Sequence, residues 1–299
     1  MPDQPGQSDP PIDPRTFNHE RFELRPRDGG QPIRGDVRFL SGTTPRTAVV
    51  ICHGFKGFRE WGFFPALARA IAGHGHAAVT FDFSRNGVGA DGVDFSALDR
   101  FGEQTHTRNL AEIRSVVDAL HEGHLLPEAP RSVGLFGHSR GGGEAVLAAA
   151  GDPRVKALVT WAAIATVERW TPEQVAAWER GETVHIANSR TGQQMPVGPA
   201  YWKDVAENRE RLDVLAAAAR VKAPWLIVHG DADTSVSVED AEALFAAATG
   251  DDTELFTLEG ADHTFGAVHP YRGATDDLHS AADATLDWFD TWLRPTPAS

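Results

Sequence analysis

Cysteine is almost absent. Cys52 is the only one among 299 residues, so no disulfide can form within the chain. It lies in the apolar run Ala48–Cys52 and reads as a small buried hydrophobe, a thiol nucleophile being the lesser reading. A run of 18 apolar residues is also missing, so no transmembrane helix is expected. Residues 1–14, rich in Pro, Asp and Gln, lack the basic and apolar regions of an export signal. With no disulfide either, the expected location is cytoplasmic. Lysine is scarce: Lys56, Lys156, Lys203 and Lys222 are the full set, and arginine carries most of the positive charge. The net charge of −14 opposes binding to nucleic acid or an anionic membrane, whose phosphates would repel the chain. No internal repeat is visible.

Several partial motifs carry no chemistry. Gly87-Val88-Gly89-Ala90-Asp91-Gly92 follows an extended segment, but no apolar helical stripe comes after it, so a loop is expected rather than a dinucleotide site. Gly54–Phe58 holds a lysine but is no phosphate-binding loop. His121-Glu122-Gly123-His124 lacks the i, i+4 histidine spacing of a zinc helix. His74 and His76 are expected to be solvated. No metal site and no cofactor are expected.

What is present is a soluble composition, 41% hydrophobic and 23% charged. At this length roughly three quarters of the unfolded surface can be buried, enough for one large core. Residues 1–16 read as a disordered tail and 17–299 as a single domain. Phe22–Arg27 and Gly35–Leu40 flank Asp28-Gly29-Gly30 as a β-hairpin. An alternation follows. Strands are expected at Thr47–Cys52, Ala77–Phe83, Ser132–Phe136, Val155–Trp161, Trp225–His229 and Glu254–Leu258. Helices are expected at Phe63–Gly73, Thr107–Glu122, Gly142–Ala150, Val238–Thr249 and Leu278–Leu293. Apolar strands that do not alternate, separated by helices, make a mostly parallel sheet covered by helices on both faces. Ala165–Ala219 breaks the rhythm with two helical stretches around a polar segment, Thr183–Pro199. It leaves from the carboxyl end of a strand, where such sheets bind ligands, and is expected to form a small cap.

Gly137-His138-Ser139-Arg140-Gly141 matches G-x-S-x-G between a strand and a helix, the setting of a nucleophile elbow. The tight turn demands small residues two before and two after the serine. The serine then sits at a helix N-terminus, where N–H groups favour an oxyanion. A serine hydroxyl needs a base. With an elbow of this kind the acid and then the histidine follow in chain order. His229-Gly230-Asp231-Ala232-Asp233 and Gly260-Ala261-Asp262-His263 each follow a later strand, on the same rim. His263 is the expected base and Asp233 the expected acid, with Asp231 the competing acid, more suited to shaping the turn. His138 and His229 are expected to support the elbow and the rim. His53-Gly54-Phe55 follows the first core strand. The backbone N–H groups of Phe55 and Arg140 are the candidate oxyanion donors.

Together these residues resemble the α/β-hydrolase superfamily, from about Phe22 to Leu293. Trp61-Gly62 and Asp82-Phe83-Ser84-Arg85-Asn86-Gly87 add to the likeness. The chain most resembles the branch of dienelactone-hydrolase-like and cinnamoyl-esterase-like enzymes, which need no cofactor. Dienelactone hydrolases use a Cys nucleophile where this chain has Ser139, so that reaction is not expected. The resemblance implies an α/β-hydrolase fold, a carboxylesterase-type serine hydrolase and a small-molecule ester substrate. It also implies an aromatic acyl pocket that Trp161, Trp170, Trp178 and Trp202 would wall, unless they are mostly core of the cap. A homodimer is neither required nor excluded. The rivals are a peptidase of the same fold (no propeller or other gating domain is read), a non-catalytic binding protein, and C–C bond or peroxy-acid chemistry at the same residues.

Overall fold

Strands that are apolar on both faces can persist only if both faces are covered. The computed structural model, which describes residues 16–26, 31–89 and 91–294, supplies that cover. Its elements run β1 Phe17–Leu24, β2 Ile33–Leu40, β3 Thr47–Cys52, α1 Phe64–Gly73, β4 Ala77–Asp82, α2 Leu98–Gly102 and α3 His106–His121. They continue with β5 Ser132–His138, α4 Arg140–Gly151, β6 Val155–Trp161, α5 Pro172–Glu179, β7 Val184–Ala187, β8 Gln194–Val197, α6 Pro199–Glu207 and α7 Val214–Ala218. The last four are β9 Trp225–Gly230, α8 Val238–Ala247, β10 Thr253–Leu258 and α9 Asp276–Leu293.

Eight strands form one sheet in the order β1-β2-β4-β3-β5-β6-β9-β10. All neighbours from β4 onward are parallel, while β2 is antiparallel to both β1 and β4. One buried cluster joins the sheet to α1 and α9 through Leu67, Ile71, Phe289 and Leu293. The other joins it to α3, α4 and α8 through Ile113, Val117, Val146 and Leu244. Each fully buried Phe or Leu contributes on the order of 1.5–3 kcal/mol. Helix starts are fixed locally: the hydroxyls of Thr105 and Thr275 cap α3 and α9, and Thr171 with Gln174 forms a capping box on α5. No helix among the described residues is long and apolar enough to cross a membrane.

Three expectations need correction. First, β1 lies at Phe17–Leu24, N-terminal of the expected Phe22–Arg27, because Phe17 pairs with Leu40 and Leu24 with Ile33. Register with β2 sets it. The Asp28-Gly29-Gly30 turn lies outside the described residues, as does the expected tail before Thr16. Second, His76 is buried rather than solvated. Its Nε2 meets Asp290 Oδ1 at 2.9 Å and its Nδ1 meets Thr47 Oγ1 at 2.6 Å. His74, only partly exposed, takes the other Asp290 oxygen. The two histidines tie the end of α1 to α9, a pairing set by docking and not by local sequence. Third, Thr183–Pro199 is a β-hairpin, β7 with β8. Val184 and Ile186 alternate with exposed neighbours, a short signal easily read as polar loop.

The excursion between β6 and β9 thus comprises α5, β7, β8, α6 and α7. Its own interior is Trp178, Met195, Val197, Tyr201 and Val205, all buried. Polar contacts fasten it to the body: Gly198 N–H to Gly102 O at 2.8 Å, Thr107 N–H to Asp204 Oδ2 at 3.0 Å, and Gln193 Nε2 to Phe95 O at 2.8 Å. The short helix α2, unforeseen in the sequence, supplies one of those acceptors.

Candidate active site

At the carboxyl end of β5 the chain reverses within one residue into α4. Ser139 occupies that turn with φ 58° and ψ −123°, a strained conformation for a residue with a Cβ. The turn closes only because its neighbours lack side chains. A Cβ on Gly137 would lie 2.3 Å from Gly141 O, and one on Gly141 would lie 2.4 Å from His53 O. Both obstacles are backbone. Gly141→Ala is therefore expected to cost about 3 kcal/mol or more. Gly151→Ala, whose Cβ would meet nothing within 4 Å, should stay within about 0.5 kcal/mol. Thermal unfolding of the two variants measures the contrast.

The structure brings Ser139, His263 and Asp233 together from the ends of β5, β10 and β9. Ser139 Oγ is 3.0 Å from His263 Nε2, and His263 Nδ1 is 2.7 Å from Asp233 Oδ2. With Asp233 ionised, Nδ1 must be the donor, which leaves Nε2 as acceptor for the serine hydroxyl. Asp233 also accepts from the backbone N–H of Ser235 at 2.7 Å and of Val236 at 2.9 Å. Burial alone would raise its pKa. The hydrogen bonds from His229, His263 and Val236 outweigh that and hold the carboxyl well below the usual carboxylate range. Asp231 is exposed and accepts from Gly260 N–H at 2.6 Å, tying the β9 turn to the loop after β10.

Two of the supporting histidines, His138 and His53, are neutral. His138 donates from Nε2 to His263 O at 2.9 Å, and burial takes its pKa down to about 3. His53 donates from Nδ1 to Gly54 O and accepts from Phe83 N–H, again with burial lowering its pKa to about 3. His229 donates to Val236 O at 2.9 Å. Cys52 is fully buried and desolvation pushes its thiol up, so it is the inert hydrophobe and no nucleophile.

Gly54 runs directly beside the serine, since a Cβ there would lie 2.9 Å from Ser139 Cβ and 3.4 Å from Oγ. The Phe55 peptide follows at once, and Arg140 is the first residue of α4. The Arg140 side chain turns inward. Its guanidinium lies 5.0 Å from the Phe55 ring centroid and donates to Gln104 Oε1. Behind it the fully buried Glu144 accepts from His106 Nδ1 at 2.8 Å and Asn109 Nδ2 at 2.9 Å, and His106 meets the Tyr201 hydroxyl at 2.6 Å. This chain from the elbow to α6 left no sequence signal, because its members are spread over three helices and a loop.

A cavity of about 620 Å³ opens over Ser139 and His263, walled by the Phe55 loop, the excursion and the loops after β9 and β10. Of the four tryptophans expected around it, only Trp170 lines it. Trp161 is core, packed against Phe136 and Phe265 with its Nε1 on Thr285 Oγ1. Trp178 lies inside the excursion, donating to Val197 O. Trp202 lies under Arg209. Trp61, from the loop after β3, contributes a wall instead.

A mostly parallel sheet of this strand order, with a serine on a strained strand-to-helix turn facing a histidine from a later loop, defines an α/β-hydrolase. The chain belongs to the prolyl oligopeptidase family, whose pattern it matches over residues 78–296, and it is a serine hydrolase. It is 26% identical over 287 residues to an uncharacterised 31.7 kDa protein of the traX-finO intergenic region of Escherichia coli, covering 86% of this chain and 94% of that one. It is 24% identical over 202 residues to 2,6-dihydropseudooxynicotine hydrolase of Paenarthrobacter nicotinovorans, covering 67% and 48%. Among solved structures it resembles Est1E from Butyrivibrio proteoclasticus, with a TM-score of 0.66, 20% identity and coverage of 90% and 97%. It also resembles the esterase domain of a Rhodothermus marinus protein, with a TM-score of 0.64, 18% identity and coverage of 93% and 100%.

Proposed function

We propose that the protein hydrolyses carboxylic esters of small molecules through Ser139, His263 and Asp233, without a cofactor. The continuous hydrogen-bonded chain from Ser139 Oγ through His263 to Asp233, on the floor of an open cavity, carries this reading. His263 Nε2 takes the Ser139 proton as Oγ bonds to the ester carbon. The tetrahedral oxyanion is received by the N–H groups of Phe55 and Arg140. The C–O bond to the alcohol breaks and His263 returns the proton to the leaving oxygen. Water then attacks the acyl-enzyme, His263 accepting its proton, and the acid leaves as Ser139 regains its hydrogen. Asp233 fixes the imidazole tautomer throughout.

The likeness to the esterase domain of the Rhodothermus marinus protein favours an ester. The family itself favours the second reading, a peptidase acting on small or acylated peptides. Initial rates on p-nitrophenyl acetate and butyrate, set against aminoacyl p-nitroanilides, separate the two. Ester turnover at least about a hundredfold above anilide turnover is expected, a ratio equivalent to ~2.7 kcal/mol of transition-state binding. Faster anilide turnover would establish the peptidase. Inertness to both, with no fluorophosphonate label on Ser139, would sink the hydrolytic assignment of these residues.

A further inference from the structure

The chain as a whole carries a charge of −14, yet the cavity over Ser139 is lined by four cationic side chains and one acidic one. The acid, Asp262, is exposed, and its Oδ1 accepts from Thr264 N–H and Gly266 N–H of its own loop. Two of the cations are matched. Arg169 lies on Asp240 at 2.9 Å, and Arg140 stands 3.7 Å from the buried Glu144. Lys56 and Arg190 have no carboxylate within 4 Å among the described residues.

Their placement makes this imbalance chemical. Lys56, on the loop that carries Phe55, reaches across to the excursion, where its Nζ donates to Ala187 O at 3.0 Å. The same Nζ is 5.6 Å from the Phe55 ring, which already faces the Arg140 guanidinium. Partial burial lowers the basicity of Lys56, with no carboxylate opposing it. Arg190 comes from the β7–β8 connection on the same wall. Beside it the buried Asn188 also lines the cavity, its Oδ1 accepting from Arg190 N–H at 3.2 Å. Lys56 is half-buried and Arg190 exposed, and both line the cavity with their charge open to an anion. Negative charge on the rest of the surface makes a local positive lining a matter of the site rather than of composition.

We propose that the site is selective for esters carrying a second, anionic group, a carboxylate that Lys56 and Arg190 receive. This rests on the ester-hydrolase reading and adds the substrate class. It also assigns Lys56 and Arg190 as specificity-determining residues. Arginine and lysine recognise a carboxylate by charge-assisted hydrogen bonds, which are stronger than neutral ones and favour the charged member of an otherwise equal pair.

The test compares matched pairs with the whole protein. Mono-p-nitrophenyl esters of glutaric, adipic and suberic acids are set against p-nitrophenyl pentanoate, hexanoate and octanoate for the acyl side. For the alcohol side, 3-carboxyphenyl butyrate is set against phenyl butyrate. In at least one pair the anionic ester should have a kcat/KM at least about tenfold above its neutral partner. That ratio should fall as sodium chloride is raised and collapse toward one in the Lys56→Gln, Arg190→Gln double variant. Turnover of neutral esters with no anionic preference in any pair overturns the inference and leaves ester hydrolysis standing. A variant that loses both members of a pair equally also overturns it, since the cations would then serve the oxyanion or the fold. No turnover of any ester overturns both.

Discussion

Ser139→Ala should lower ester turnover by about four to six orders of magnitude while leaving thermal unfolding within a few degrees of the parent. The reason for both halves is in the turn. Alanine keeps the Cβ, so the strain at φ 58° and the 2.9 Å approach that bounds position 54 are unchanged. The only atom removed is Oγ, whose hydrogen-bond partner is His263 Nε2 at 3.0 Å. His263 remains held by Asp233. Circular dichroism and a melting curve report the fold, and p-nitrophenyl butyrate reports the chemistry. Retention of more than about a hundredth of the activity would place the nucleophile elsewhere. Cys52 would not be the replacement, being fully buried with its thiol pushed up.

Asp233→Asn should cost about 10⁴ in kcat, close to the loss expected when a triad acid becomes an amide. Asp233 spends Oδ1 on the N–H groups of Ser235 and Val236, at 2.7 and 2.9 Å. An asparagine keeps those two bonds only by placing its oxygen there, which turns its NH₂ toward His263 Nδ1. Nδ1 must then accept and Nε2 carries the proton, so the serine has no base. The native carboxyl stays ionised through the assay range because its pKa lies far below neutrality. No limb of the pH profile therefore belongs to it. The control is Asp231→Asn: that carboxylate bonds to Gly260 N–H, outside the proton path, and its loss should change kcat less than about tenfold. Equal losses in both variants would mean that Asp233 acts by holding the loop and not by setting the tautomer.

Much of this was legible without coordinates. Strands β3 and β6 fall at the residues their apolar runs marked. Short, β-branched apolar runs of that length fit a strand buried on both faces. G-x-S-x-G between strand and helix marks Ser139 because only glycines fit where a Cβ would strike backbone. Asp233 was separable from Asp231 by its position after the strand. The hidden parts share one property. His76 and His74 bind Asp290 across more than 200 residues of sequence. Glu144 gathers partners from α3 and reaches α6 through His106. Trp161 looks like a pocket aromatic and is core.

The sequence by itself marked the central strands, the elbow and the two side chains, His263 and Asp233, that the structure brings to it, because local periodicity and steric limits within a few residues leave those signals. Only the tertiary structure decided how the excursion folds over the rim, which aromatics face the cavity, and that Lys56 and Arg190 line its wall while Arg169 is spent on Asp240. Those outcomes depend on which distant side chain wins each charge and each hydrogen-bonding group, and that competition is settled only when the elements pack.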